Sequence, residues 1–138
     1  MIDHKFNSKY LYKKEILYAK IRVSEVGHGQ MLLDYADDTD AWSDRDMIVF
    51  VLFCRLRNFL LEKDKILLCK GCMLNVHPLP FQIMGINGLV LTMGKQIDRE
   101  KDAVCLFDEE LEIDKIVSVE EQHKFYKEWW KSVMGTSI

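Results

Sequence analysis

One segment, residues 47–61, constrains the fold of this chain more than any other. Its first residues are apolar nearly all round, and its later apolar residues lie on one side. That side carries Leu52, Leu56, Phe59 and Leu60. A helix with this pattern packs on more than one side and lies near the centre of a domain. The segment therefore predicts a central helix with Leu56 in the core.

The start of this helix is predicted from capping signals. Ser43 is a favoured N-cap residue, and Asp46 three positions later completes a capping-box pattern. The β-branched residues Ile48, Val49 and Val51 also suit a strand. A strand therefore remains an alternative for the first part of the segment.

Hydrophobic alternation indicates a strand over residues 15–23. A period of two places one side in the core and the other in water. A helix stays possible, because two of the apolar residues are four positions apart, and Gly27-His28-Gly29 ends the pattern. The apolar positions are Leu17, Ala19, Ile21 and Val23.

Three further strands are predicted in the second half, over residues 66–76, 89–93 and 103–107. The Asn87-Gly88 pair before the second of these is a tight-turn signal. Loops this short favour antiparallel pairing.

A C-terminal helix is predicted after Ser118, with Glu121 at the capping-box position. Together these elements predict an α+β fold, in which a small antiparallel sheet packs with a central helix and a C-terminal helix. A length of 138 residues fits a single domain spanning 1–138.

Composition narrows the functional classes. The net charge of −3 and the pI near 5.8 argue against nucleic acid as the main partner. The longest apolar stretch has eight residues, far below the ~20 that span a bilayer, so no membrane association is expected. Charges interrupt the N-terminus too often for an export signal, which predicts a cytoplasmic protein with reduced cysteines.

Cys69-Lys70-Gly71-Cys72 is the one sequence that resembles a chemical motif. A CxxC pair supplies half of a zinc site or a redox pair. Zinc needs two more ligands, and no second CxxC is present; a strand over 66–76 would also point positions 69 and 72 to opposite faces. We therefore predict no catalytic residue, metal or cofactor, and a small enzyme or metal or redox protein using this region is the alternative.

Charge is unevenly distributed along the chain. Residues 34–46 carry six acids and one base, and residues 98–121 carry ten acids and three bases. Solvated loops and helix caps explain such clusters as well as binding does. In the functional interpretation, acidic patches steer a basic partner, and aromatic side chains inside them anchor it.

The predicted partner-binding residues come from both acidic windows. Loop carboxylates in such windows are expected to contribute little to stability. The predicted set is Asp34, Tyr35, Asp37, Asp38, Asp40, Trp42, Asp108, Glu109, Glu110 and Glu112.

The second half of the chain resembles immunity proteins encoded beside bacterial contact-dependent growth inhibition and other polymorphic toxins. The resemblance covers residues 66–133 and rests on the runs ILLCKG at 66–71, LVLTMGKQ at 89–96, VCLFD at 104–108, VEEQ at 119–122, Phe125-Tyr126 and Trp129. It implies a cytoplasmic protein that binds one cognate toxin domain, often a nuclease. The acidic windows suit such a partner, because a nuclease presents a basic surface to its substrate. A protein-interaction module with another role for the acidic patches is a third hypothesis, and the oligomeric state stays open.

Overall fold

A long β-hairpin begins the fold in the computed structural model, which describes residues 3–80 and 85–137. Strand β1 (Asp3–Tyr12) pairs antiparallel with β2 (Glu15–Gly27) along its whole length. The turn between them, Lys13-Lys14, has φ values of 48° and 68°, a left-handed conformation that is uncommon for side-chain-bearing residues.

Three more strands complete an antiparallel five-stranded sheet. They are β3 (Gln30–Ala36), β4 (Ala41–Asp46) and β5 (Ile66–Leu67), and the strand order is β4-β3-β2-β1-β5. The alternation over 15–23 is confirmed as a strand, because the sheet buries every second residue of it. We call the buried side, which carries Ala19, Ile21 and Val23, the inner face, and the opposite side the outer face.

Helix α1 (Val49–Glu62) packs on the inner face of the sheet and confirms the predicted central helix. Its predicted cap is wrong. Ser43 lies in β4, where its hydroxyl donates to Asp34 at 2.6 Å, and the N-cap position is Ile48. Asp46 still contributes at this end, since its carboxylate accepts the Ile48 N–H at 3.0 Å. Strand pairing with β3 therefore extends through the residues that a helix cap would have used.

Leu56→Ala is expected to lower the free energy of unfolding by about 3 kcal/mol, because it removes buried methyl groups and leaves a cavity. Leu56 is fully buried in the core between α1 and the sheet. Leu61→Ala on the same helix is the matched control, because Leu61 is 53% exposed. Urea unfolding of both variants measures the difference; equal losses would show that the Leu56 side chain does not support the core.

The strand predicted over 66–76 is wrong in its middle. After β5 the chain forms a 3₁₀ turn over Lys70–Cys72 and returns to strand only at β6 (Val76–His77). Gly71 explains the break. A Cβ there would lie 2.8 Å from both the Leu106 carbonyl oxygen and the Phe53 ring, so this backbone approaches its neighbours more closely than a side chain permits.

The other two predicted strands are present but shorter. They are β7 (Asn87–Val90) and β8 (Ala103–Cys105), which form a second antiparallel sheet in the order β6-β7-β8. Asn87-Gly88 does not form a turn as predicted, because both residues belong to β7 and pair with β8.

Helix α2 (Val119–Met134) confirms the predicted C-terminal helix and its capping box. The Ser118 hydroxyl accepts the Glu121 N–H at 3.1 Å, and the Glu121 carboxylate reaches back to the Ser118 N–H at 3.5 Å. Tyr126 and Trp129 are buried against the three-stranded sheet. The two sheets and two helices form one α+β domain, as predicted.

Candidate protein-binding surface

The first acidic window folds as β3, a turn over residues 37–40 and β4. Tyr35 points to the inner face and is 2% exposed, so it is a core residue and not a surface anchor. Its hydroxyl donates to Asp37 at 2.5 Å. Burial and this hydrogen bond raise the pKa of Tyr35. Tyr35 is therefore part of the core in this structure, and partner binding through it stays a prediction.

A buried lysine holds two carboxylates of this window. Lys65 Nζ lies 2.8 Å from Asp37 and 2.6 Å from Asp40, and its side chain is 4% exposed. The Asp37 side chain is fully enclosed, and it also accepts the backbone N–H groups of Thr39 and Asp40, each at 2.8 Å. Asp37 is thus tied into the fold, contrary to the expectation that loop carboxylates contribute little to stability, and its contact with a partner stays a prediction.

Burial and ion pairing shift the pKa values of this cluster in opposite directions, and pairing has the larger effect. Burial raises the pKa of Asp37, but hydrogen bonds from Lys65 and Tyr35 outweigh it and hold the pKa well below its ordinary value of 3.8. Burial lowers the pKa of Lys65, and its bonds to Asp37 and Asp40 more than compensate. Both groups are therefore charged at neutral pH.

Further acids of the window are tied to the rest of the fold. Arg55 on α1 pairs with Asp44 at 2.9 Å and with Asp46 at 3.3 Å. Trp42 is half-buried, and its ring packs 6.4 Å from that of Phe59. Asp34 lies on the outer face. Asp38 is the carboxylate of the window that remains exposed in the turn.

The second acidic window contains a compact acidic segment, residues 108–114, in which five of seven residues are acidic. Glu110 is 9% exposed and is used internally: its carboxylate binds Lys70 at 3.2 Å and accepts the Glu112 N–H at 3.0 Å. Asp108, Glu109 and Glu112 are exposed, although Glu109 pairs with Lys9 at 2.7 Å and Glu112 with Lys115 at 2.7 Å.

Two apolar side chains interrupt the acidic segment and remain in water. Leu111 is 45% exposed and Ile113 is 40% exposed. The net charge of a segment does not reveal apolar residues inside it. The alternation of Leu111 and Ile113 with acids in the sequence could have shown that these two side chains are exposed.

Ile113 lines an apolar groove of about 230 Å³ between the end of α1, β5 and the start of α2. Leu61 is 53% exposed there and Ile66 is 36% exposed. Lys65 also lines the groove and so connects it to the acidic turn at residues 37–40. The apolar residues of the groove are Leu61, Ile66, Leu67, Ile113, Ile116, Val117 and Val119.

A buried polar contact forms one wall of the groove. Arg57 on α1 donates to the Gln122 side chain at 2.5 Å and to the Val117 carbonyl at 2.7 Å. The Gln122 amide nitrogen in turn contacts three carbonyl oxygens, of Gly71, Met73 and Val76, at 2.6 to 2.9 Å. This contact joins α1 to α2 beside the groove.

The cysteine pair is placed differently from the prediction. Cys69 and Cys72 bracket a 3₁₀ turn instead of alternating along a strand, and both are about 1% exposed. Burial raises the pKa of each thiol, so both are protonated and unreactive at neutral pH. Among residues 3–80 and 85–137, no group of three or more histidine, cysteine or acidic side chains is arranged to hold a metal ion.

Two comparisons with known proteins found no match. No family model matches the chain, and no curated protein matches it either. Neither helix in the described part of the chain has the length and apolar character needed to cross a bilayer.

Proposed function

We propose that this protein is an immunity-type inhibitor, which binds and neutralises a cognate toxin domain in the cytoplasm without performing chemistry of its own. The observation that carries the proposal is the apolar groove beside the acidic segment. Leu61, Ile66 and Ile113 are exposed together in one concave site, and such a cluster in contact with water is typical of a protein interface.

Charge favours a basic partner. Glu112 and Asp114 flank Ile113 in the chain, and Glu121 lines the groove. An acidic rim around an apolar centre steers a basic protein toward the site, while desolvation of the centre provides affinity. A nuclease toxin meets both requirements, because the surface that receives its phosphate-bearing substrate is basic.

Inhibition then follows from occupation of that basic surface. An apolar side chain of the toxin enters the groove as the anchor, and lysine or arginine residues around it pair with the exposed acids. Burial of one such anchor commonly contributes 2 kcal/mol or more to binding. Nucleic acid would be excluded from the covered surface both by contact and by like charge.

The double variant Leu61→Ala/Ile113→Ala is expected to bind the toxin domain encoded beside this protein roughly 10- to 100-fold more weakly, mainly through faster dissociation. Surface plasmon resonance measures the rates, and survival of cells that co-express the toxin domain reports neutralisation. Val26→Ala is the control, because Val26 is 38% exposed and lies ten residues along β2 from Ile16, the residue in the same cross-strand row as the groove residue Ile66.

The acidic rim is expected to affect the association rate in the same experiment. Glu112→Gln/Asp114→Asn should slow association and flatten its dependence on salt, whereas Glu15→Gln/Glu128→Gln, which removes the same charge elsewhere, should not. A dissociation rate unchanged by loss of Leu61 and Ile113 would remove the groove from the interface. A toxin that kills cells despite the wild-type protein would contradict the immunity role itself.

A further inference from the structure

The outer face of the five-stranded sheet is basic, although the protein as a whole is acidic. Five basic side chains, on β1, β2 and β4, share this face with Asp3 and Asp34, and Glu109 pairs with Lys9 at its edge, which gives +5 − 3 = +2. Within residues 3–80 and 85–137, no helix packs over this face, because α1 lies on the inner side. The five basic residues are Lys5, Lys9, Lys20, Arg22 and Arg45.

The charge continues to the tip of the hairpin. Residues 3–22 contain six basic and two acidic side chains, and the exposed turn is Lys13-Lys14. The segregation explains why the overall charge of −3 hides a positive surface: 6 + 10 = 16 of the 22 acids lie in the two acidic windows, residues 34–46 and 98–121.

A shallow concavity of about 450 Å³ opens on the outer face. Lys5 stands opposite Arg22, and Asn7 stands opposite Lys20, so neighbouring Cβ atoms are about 5 Å apart. Ala36 lines the far side and leaves room because its side chain is small. Lys5 and Lys20 therefore extend from neighbouring positions of the same face.

The two lysines of the concavity are available to a ligand. Neither Lys5 nor Lys20 forms an ion pair with another described residue, whereas Arg22 is held by Asp3 through two hydrogen bonds of 2.9 Å. The Asp34 carboxylate accepts the Ser43 hydroxyl at 2.6 Å.

An exposed aromatic ring lies on the same face. Tyr18 is 71% exposed on the middle strand β2, and Lys9 Nζ lies 5.7 Å from the centre of its ring. A flat ring in water beside lysines is the arrangement that binds single strands: cations contact the phosphates and a base stacks on the ring.

We propose that the outer face binds single-stranded nucleic acid, with phosphates at Lys5 and Lys20 and a base stacked on Tyr18. The proposal departs from the expectation drawn from net charge, which averages over two faces of opposite sign. It does not depend on the groove, which lies on other elements of the fold.

The test is fluorescence anisotropy of the full chain with a labelled 20-nucleotide oligothymidine at several salt concentrations. Lys5→Gln/Lys20→Gln should weaken binding at least 10-fold and reduce the slope of log K against log salt by about 1.4, since each phosphate contact on a single strand contributes about 0.7. Lys124→Gln/Lys127→Gln removes the same charge from α2 and should change the affinity less than twofold.

A second arm separates stacking from charge. Tyr18→Ala should weaken oligonucleotide binding roughly 5- to 100-fold and Tyr18→Phe should restore it, while binding of inorganic polyphosphate stays unchanged in both. Thermal melting checks that each variant is folded. The proposal is overturned if the wild-type chain does not bind the oligonucleotide, if the α2 control loses as much affinity as the outer-face variant, or if Tyr18→Ala binds it as well as the wild type does.

Discussion

Asp37→Ala is expected to lower the free energy of unfolding by about 3–5 kcal/mol, because it leaves the buried Lys65 ammonium without its most enclosed partner. The substitution also removes the acceptor of the Tyr35 hydroxyl and of two backbone N–H groups in the turn. Such losses exceed those of an exposed ion pair, since the groups left behind cannot recover their bonds with water.

Asp38→Ala is the matched control for this variant, because Asp38 is the next residue, carries the same charge and is exposed. We expect it to change stability by less than about 0.5 kcal/mol. Urea unfolding at pH 7 measures both variants. Equal effects would show that the Lys65 cluster contributes no more than surface charge.

The same cluster predicts a pH dependence. The folded-state pKa of Asp37 lies below its ordinary value of 3.8, so the folded protein binds this proton less readily than the unfolded chain. The corresponding stability is present above about pH 4 and is lost as the pH falls toward the folded-state pKa. In Asp37→Ala the free energy of unfolding should therefore fall less than in the wild type as the pH is lowered below about 4. Urea unfolding at several pH values measures the difference.

Gln122→Leu is expected to lower the free energy of unfolding by about 3–5 kcal/mol. The substitution introduces an apolar side chain of similar size, so one Arg57 N–H loses its acceptor and three carbonyl oxygens lose the Gln122 amide as a donor. A hydrogen bond to a charged group contributes about 1.5–3 kcal/mol, and each buried group left unpaired costs about 1–3 kcal/mol more.

Lys124→Ala provides the comparison for Gln122→Leu, because Lys124 is exposed on the same helix. It should remain within about 0.5 kcal/mol of the wild type. Calorimetric melting would distinguish the two. If Gln122→Leu melts at the same temperature as the wild type, the contact between α1 and α2 does not stabilise the fold.

The elements that could be predicted from sequence are those with a complete local signal. Ser118 and Glu121 satisfy each other's backbone groups within one turn, so the start of α2 needs no distant partner. The alternation in β2 likewise reports one buried and one exposed face directly. Strands β1, β3 and β4 were missed. In β1 the polar Ser8 occupies an inner position, and in β4 the acids Asp44 and Asp46 do, so neither strand shows a clear hydrophobic alternation.

The candidate site was only partly predictable for a related reason. The acidic segment at 108–114 was found from composition, but composition could not distinguish the exposed Glu112 from Glu110, which Lys70 partly neutralises. The groove was missed altogether, since Leu61 and Ile66 meet Ile113, which lies 47 residues further along the chain than Ile66.

Local pattern alone was enough to define the class of the fold, the two helices and the uneven distribution of charge. Tertiary contacts decided which charges face water. Asp37 meets Lys65 across 28 residues and Arg57 meets Gln122 across 65, and no window of sequence contains both partners. A carboxylate is the same residue whether it is solvated or enclosed; its role depends on whether folding brings a cation to it and excludes water from the pair.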